Sequence, residues 1–340
     1  MNFFKKKKNQ KIILIVFLAL ILAIGVFLFF TQGTKEFSAK GEEESELLKP
    51  KKLKPQSPFS GIECSNYKNR AFGVILAQYR ETMPLSGISE ADLVIEWPVA
   101  NAGGVTRLLA IFQCATPKEV GSVRSARPYL ADLAKGFDLV LASWGGPGTL
   151  NQRVAANGVD WLNAMENPSG AFFRKRNKRA PHNGFTSLEN LKKAARDKKM
   201  REENEFESYL FLEEEEIASK KVEQVINVAF SPPVKYVYSG ETGNYFRYWN
   251  NTEAIDSNNN KKAYAKNVVL LKTTIGILSP GVAEAKIIGS GEVKIYQGGE
   301  EIVGTWSKES ANSKLAFFNQ LGEEIKFIPG PIWIAIVDRF

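Results

Sequence analysis

The stretch GSVRSARPYLADLAKGF, residues Gly121 to Phe137, carries the strongest structural signal in the chain. Apolar residues recur at helical spacing from Tyr129 onward, and Gly136 weakens the end of the pattern. Ser125 precedes the pattern and is a residue type that caps helices, and Pro128 is tolerated in a first turn. The stretch therefore predicts a helix whose N-cap is Ser125.

Two arginines, Arg124 and Arg127, flank the predicted start of this helix. The free N–H groups and the dipole of a helix N-terminus favour anions, and a guanidinium group fits a carboxylate, phosphate or sulfate. Each positive charge at that end costs a few tenths of a kcal/mol to about 1 kcal/mol unless an anion compensates it. We therefore expect either an acidic side chain of the same domain or a bound anion beside these arginines.

The net charge of +8 does not indicate nucleic-acid binding, because most of it lies in the N-terminal tail. Residues 1–11 contain five lysines and no acidic residue, and residues 35–58 contain six lysines and five glutamates. These segments leave +2 for residues 59–340. A hydrophobic content of 44% with 22 phenylalanines is enough for real cores.

Residues 12–30 form a run of uncharged, mostly apolar residues that follows the lysine-rich tail. The run is long enough to cross a bilayer, and the lysines favour a cytoplasmic N-terminus. A cleaved signal peptide is the alternative, but such a segment normally ends in small residues and this one ends in bulky ones. We predict a single-pass membrane anchor at 12–30, a cytoplasmic tail at 1–11, a flexible linker at 31–60, and the large C-terminal part outside the cytoplasm.

Strand and helix patterns alternate between residues 61 and 200, which predicts an α/β domain with a mixed, layered sheet. The expected strands are Ala71–Ala77, Leu93–Val99, Val105–Cys114 and Asp138–Trp144, and further helices are expected from Thr149 and over Thr186–Lys199. Residues 201–220 form a charged connector. Short strand patterns then predict a β-rich second domain over residues 221–340. The expected strands there are Val222–Phe230, Val234–Ser239, Asn244–Trp249, Val268–Thr273, Lys286–Ile288, Glu292–Gln297, Glu301–Trp306, Leu315–Asn319, Ile325–Ile328 and Pro331–Val337.

Several motifs together resemble the YerB-like bacterial lipoprotein family. They include GGVTR (103–107), GSVRSARP (121–128), RAPHN (179–183) and, near the C-terminus, GEEIKFIPGPIWIAIV (322–337). The resemblance spans about residues 70–340 and implies an exported, membrane-attached protein with a two-part fold and no established biochemical activity. This chain lacks the N-terminal cysteine to which a lipid is attached, so a transmembrane anchor would replace the lipid.

The candidate ligand-binding residues come from separate strands, loops and the predicted helix start, as is common for residues that line a cleft. They are Arg107, Arg124, Ser125, Arg127, His182 and Asn183. His182 can serve as a general acid or base, as an orienting hydrogen-bond donor, or as a packed core residue. Glu96 is the candidate acidic partner. Because no nucleophile motif surrounds a serine or cysteine, it stays open whether the protein is an enzyme.

A single histidine and two cysteines rule out a histidine-rich zinc site, zinc fingers and iron–sulfur clusters. The histidine and cysteine counts leave a hard cation with oxygen ligands open, but no loop shows the acidic spacing that such a site requires. We therefore predict no metal and no cofactor. Because an exported chain favours disulfides, Cys64 and Cys114 are predicted to form one, with two separately buried thiols as the alternative.

Three functions remain open. The first is a non-catalytic protein that binds an anionic ligand or a cell-envelope component, such as a wall glycan, a peptide carboxylate or an envelope protein. The second is an enzyme that acts on envelope polymers with His182 as acid or base. The third is a scaffolding module whose arginines only hold the fold together.

Overall fold

A computed structural model describes residues 55–218 and 220–340. The predicted cytoplasmic tail, the membrane anchor at 12–30 and most of the predicted linker lie outside the described residues. Within the described residues, no helix combines the length and the apolar character needed to span a bilayer. Residues 55–60 were predicted to be linker, but they belong to the folded region, where Phe59 is fully buried and stacks on Phe206 at 4.6 Å.

The described chain contains twenty strands and three α-helices. The strands are β1 Phe72–Ala77, β2 Leu93–Pro98, β3 Thr106–Phe112, β4 Val120–Gly121, β5 Val140–Ser143, β6 Trp161–Asn163, β7 Phe172–Arg174, β8 Gly184–Thr186, β9 Val225–Val228, β10 Val234–Ser239, β11 Asn244–Trp249, β12 Thr252–Glu253, β13 Tyr264–Ala265, β14 Asn267–Lys272, β15 Ile275–Ser279, β16 Val282–Ala285, β17 Gly289–Gln297, β18 Glu300–Lys308, β19 Ala316–Asn319 and β20 Ile332–Val337. The helices are α1 Tyr129–Gly136, α2 Gly148–Asn157 and α3 Leu188–Asp197.

A ten-stranded mixed sheet forms the centre, in the order β19-β18-β17-β14-β20-β2-β3-β1-β5-β6. The C-terminal strand β20 lies between β14 and β2 and is parallel to both. The predicted α/β and β-rich parts are therefore joined by one continuous sheet within a single compact unit, Lys54–Phe340. The connector is also packed against this unit, because Phe206 and Tyr209 are buried.

Both faces of the central sheet are covered, which explains the continuous apolar runs of its strands. On β1, Ile75 packs in the core cluster that contains α1, whereas Val74 and Leu76 pack in the cluster that contains α3 and strands β9 to β11. Strands β9 to β13 form the second, five-stranded sheet. Two smaller sheets, β15-β16 and β4-β8-β7, complete the fold.

Helix α1 begins at Tyr129 and not at Ser125, so the predicted serine cap is wrong. Pro128 occupies the cap position, and no side chain caps this helix end. The backbone before α1 bonds to other segments: the Arg124 N–H donates to the Ile75 carbonyl of β1 at 2.9 Å, and the Ala126 N–H donates to the Gly145 carbonyl after β5 at 3.0 Å. In a helix capped by Ser125, the Ser125 carbonyl would accept the first intrahelical bond. It accepts a hydrogen bond from Arg107 instead.

Two of the predicted strands, Lys286–Ile288 and Ile325–Ile328, are not strands in the structure. The hairpin β15-β16 was not predicted, because its glycine and serine residues interrupt the apolar alternation. Most other predicted strands occur within a few residues of their expected ends.

Candidate functional site

The candidate site lies at one end of the strands of the central sheet, where the parallel strands β1 and β5 have their C-terminal ends. This end of the strands is called the edge that carries the site. Tyr79 follows the end of β1, and Trp144 follows the end of β5. Strand β3 is antiparallel to β1, so Arg107 near its start lies at this same edge, opposite Ala77. Open sheets commonly bind ligands beyond the carboxyl ends of their parallel strands.

The segment after β4 brings Arg124 to this edge. Val123 forms a bridge with Leu76 of β1, and the Trp144 N–H donates to the Arg124 carbonyl at 3.0 Å. Arg124 is thereby held between the end of β1 and the residue that follows β5.

The loop between β7 and β8 supplies His182. Its carbonyl accepts a hydrogen bond from Ser122 Oγ at 2.8 Å, and its ring lies against that of Tyr79 with a centroid distance of 4.9 Å. Nδ1 of His182 is buried and has no hydrogen-bond partner among the described residues. The loop therefore places this imidazole beside the arginines.

Arg107 and Arg124 are only partly satisfied by the protein. Arg107 is 5% exposed and donates from one terminal nitrogen to the Ser125 carbonyl at 2.5 Å. The Nε atoms of Arg107 and Arg124 are both buried, and neither has a partner in the part of the chain that the structure describes. Within that part, no carboxylate forms an ion pair with either arginine.

Electrostatic effects reflect this concentration of positive charge. Burial, together with the charges of Arg127 and Arg124, lowers the pKa of Arg107 to about 9. Burial is also the main cause of the lowered pKa of Arg124. The pKa of His182 is lowered by burial and by the charges of Arg124, Arg107 and Lys178, with Glu81 acting in the opposite direction. Any anion among these groups would favour their charged forms.

Arg127 has a different environment from the other two arginines. Its guanidinium donates to the carbonyls of Val99 at 3.1 Å, Ala126 at 3.4 Å and Gly281 at 3.0 Å. These bonds tie the start of α1 to the end of β2 and to the β15-β16 hairpin. Backbone carbonyls, rather than an acidic side chain, thus compensate this charge.

Glu96 does not belong to the site. It lies on β2 opposite Leu108, whereas Arg107 lies opposite Trp97. Because side chains alternate between the faces of a strand, Glu96 and Arg107 point to opposite faces of the sheet. The register of β2 and β3 therefore makes Glu96 unavailable as an acidic partner of His182.

Glu96 instead lies in a buried polar network. Its oxygens accept from Gln78 at 2.5 Å, Thr106 at 2.7 Å and Arg247 at 2.9 Å. Arg247 comes from β11 of the second sheet, so this network joins the two sheets. Gln78 and Thr106 directly precede Tyr79 and Arg107 in the chain, so the network also supports the edge that carries the site.

Two other predicted site residues act mainly through local contacts. Ser125 contributes its carbonyl to Arg107. The Asn183 side chain accepts a hydrogen bond from Arg174 at 2.6 Å. The guanidinium of Arg174 also lies 4.2 Å from the centroid of the Trp144 ring. Asn183 thus orients a neighbouring arginine.

Sequence reasoning missed Tyr79, Trp144 and Arg174 as site residues. Tyr79 lies in a loop, and Arg174 begins a run of basic residues, so no local motif marks either one. The available signal was that Tyr79 and Trp144 each follow a buried apolar strand. Gly184 allows Trp144 to pack here, because a Cβ atom at that position would lie 2.4 Å from its ring.

The described residues include no group of three or more histidine, cysteine, aspartate or glutamate side chains that could hold a metal ion. The arrangement is therefore that of a small cationic site with hydrogen-bond donors from three segments, on a mixed sheet assembled from both halves of the chain.

Comparisons with known proteins agree with this two-part organisation. The family described as "Protein of unknown function (DUF3048) N-terminal domain" matches residues 59–201, and its C-terminal domain matches residues 226–334. The chain belongs to this YerB-like family. It is 28% identical to the "Putative lipoprotein YerB" of Bacillus subtilis over 297 residues, which cover 84% of this chain and 87% of that protein. The crystal structure of Bacillus subtilis YerB superposes with a TM-score of 0.74 at 27% identity and covers 85% of this chain and 97% of that one.

Proposed function

We propose that this protein binds a tetrahedral oxyanion, such as a phosphate or sulfate group, on the outer side of the cell membrane. The observation that carries the proposal is the pair of buried, unpartnered Nε donors of Arg107 and Arg124 beside His182. An unsatisfied buried donor costs about 1–3 kcal/mol, and more when the group is charged, so a ligand that accepts these hydrogen bonds is favoured.

A tetrahedral oxyanion fits better than a carboxylate. The candidate donors come from three segments, namely β3, the segment after β4 and the loop before β8, and the Tyr79 hydroxyl interacts with Arg107 as well. A phosphate or sulfate offers three or four acceptor oxygens that point in different directions, whereas a carboxylate offers two in one plane.

Three observations support a location on the outer side of the cell membrane. The relative from Bacillus subtilis is named as a lipoprotein. The bond between Cys64 and Cys114 is typical of oxidising compartments. The apolar run at 12–30, preceded by lysines, would hold the folded part at the membrane.

The first prediction concerns Arg124, which is half-buried and has no side-chain partner among the described residues. We expect Arg124→Gln to weaken sulfate binding roughly tenfold to a hundredfold, as for the loss of a hydrogen bond to a charged group. The fold should be largely unaffected, because the side chain forms no hydrogen bond or ion pair with the described residues that the substitution would remove. Isothermal titration with sulfate at low ionic strength measures the effect.

Two control variants make this result specific. Arg124→Lys keeps the charge but removes the fork of donors, so it should recover only part of the affinity. Arg196→Gln removes the same charge from an exposed residue of α3 and should leave sulfate binding unchanged. Arg196 lies near Phe72 and Val140, the first residues of β1 and β5, at the end of these strands opposite to the site. Equal affinity of wild type and Arg124→Gln, or an equal loss in Arg196→Gln, would refute the proposal.

The second prediction concerns pH. In the protein without ligand, the pKa of His182 is below its usual value of about 6.5, so this residue is neutral at pH 7.5. The stability that the neutral imidazole contributes is lost as the pH falls below about 6.5. A bound anion favours the imidazolium, so binding takes up a proton. We expect sulfate affinity to increase as the pH is lowered from 7.5 to about 5. In this range sulfate keeps its charge and most carboxylates stay ionised.

His182→Gln provides the comparison, because glutamine can donate a hydrogen bond but does not titrate. The rise in affinity on acidification should disappear in this variant. If wild type and His182→Gln show the same pH dependence, His182 is not part of the site.

A further inference from the structure

The basic loop beside the site, residues 174–179, contains Arg174, Lys175, Arg176, Lys178 and Arg179. It begins at the last residue of β7, and the chain then continues through His182 to β8. The Lys175 N–H donates to the Asn183 carbonyl at 2.9 Å and closes this connection. The β4-β8-β7 sheet therefore fixes the base of this loop next to His182. Basic loops are commonly only solvated, so the contacts of each side chain decide its role.

The inner residues of the loop are held against the site. Arg174 stacks on Trp144, and its charge acts on Arg124. Lys178 donates to the Thr82 carbonyl at 3.2 Å, and its charge acts on His182. These two cations extend the positive field of the site outward.

The outer residues lack such contacts. Arg176 and Arg179 are exposed, and their side chains form no hydrogen bond or ion pair with the rest of the described chain. Lys175, in contrast, pairs with Glu119 at 2.9 Å. Positive charge thus continues from the buried Arg107 through the loop to the surface, with little acidic compensation along the way.

We propose that the ligand is a linear polymer that carries phosphate groups at intervals, with one phosphate in the site and the following ones along residues 174–179. The proposal rests on the proposed function, since it extends the same site. A single anion would satisfy Arg107 and Arg124 and leave the repulsion among the loop cations unchanged. A chain of phosphates compensates both sets of charges, and each phosphate offers oxygens to an arginine fork.

Polyphosphate is the probe, compared with inorganic phosphate and tripolyphosphate at fixed ionic strength. A longer chain offers more equivalent binding positions, and this alone raises its apparent affinity. We expect affinity to rise with chain length by more than this statistical gain. Arg176→Gln/Arg179→Gln should weaken the binding of long-chain polyphosphate roughly tenfold or more at low salt. It should also reduce the steepness of the plot of log K against log salt concentration by about 1 to 2. Binding of inorganic phosphate should stay at the wild-type level in this variant.

Arg196→Gln/Lys198→Gln is the matched control, because it removes two exposed charges near the C-terminal end of α3. It should leave the long-chain affinity close to wild type. If the two double variants lose the same affinity, or if long chains bind no better than tripolyphosphate, the polymer proposal fails while the oxyanion site stands. If inorganic phosphate and sulfate also fail to bind at Arg124, the proposed function fails with it. Tighter binding of poly-glutamate than of polyphosphate of similar length would overturn the choice of phosphate.

Discussion

Arg247→Met is expected to lower the free energy of unfolding by about 3–5 kcal/mol, the usual cost of breaking a buried ion pair. Arg247 and Glu96 are each 1% exposed, and Arg247 also donates to Gln78 at 2.7 Å. Its guanidinium lies 4.9 Å from the centroid of the Trp333 ring. Methionine fills much of the same volume, so the main loss is an uncompensated carboxylate in the core. Urea unfolding followed by circular dichroism measures the change.

Two comparisons separate charge from packing. Glu96→Gln/Arg247→Met removes both charges and should be clearly more stable than Arg247→Met alone, because no buried charge is left unpaired. Lys193→Met breaks an exposed pair with Asp197 and should change stability by less than about 1 kcal/mol. A loss below 1 kcal/mol in Arg247→Met, or a double variant as unstable as the sum of its single variants, would contradict this account of the network.

Removal of the disulfide is the second change with a large expected effect. Cys64 and Cys114 are bonded, 50 residues apart in the chain, as the sequence favoured. A crosslink over such a loop restricts the unfolded chain and stabilises the native state by about 4 kcal/mol in the chain-entropy model. We expect Cys64→Ser/Cys114→Ser to lose stability of this order in urea unfolding.

Reduction of the wild type provides the check on this value. Dithiothreitol should shift the wild type toward the double serine variant and leave that variant unchanged. Two free thiols in the non-reduced protein would show that the bond does not form. Stability of the serine variant equal to that of the wild type would show that the loop is already restricted in the unfolded state.

Local features of the fold were readable from the sequence because they depend on local patterns. Continuous apolar runs predicted β1 to β3, and alternation predicted β10 and β11 with their observed ends. In each case, the period of the apolar residues and the turn residues that bound them carry the information.

The tertiary structure alone decided which of these residues meet. The register between β2 and β3 put Glu96 on the face opposite Arg107, and a shift of one residue would have reversed this. Arg107 of β3 bonds to the Ser125 carbonyl, and α1 begins only at Tyr129. Arg247 reaches Glu96 across 151 positions of sequence. The sequence by itself therefore determined most of the longer strands and helices and the positively charged residue types. Long-range pairing determined the site, because contacts between distant segments leave no periodic signal in a single chain.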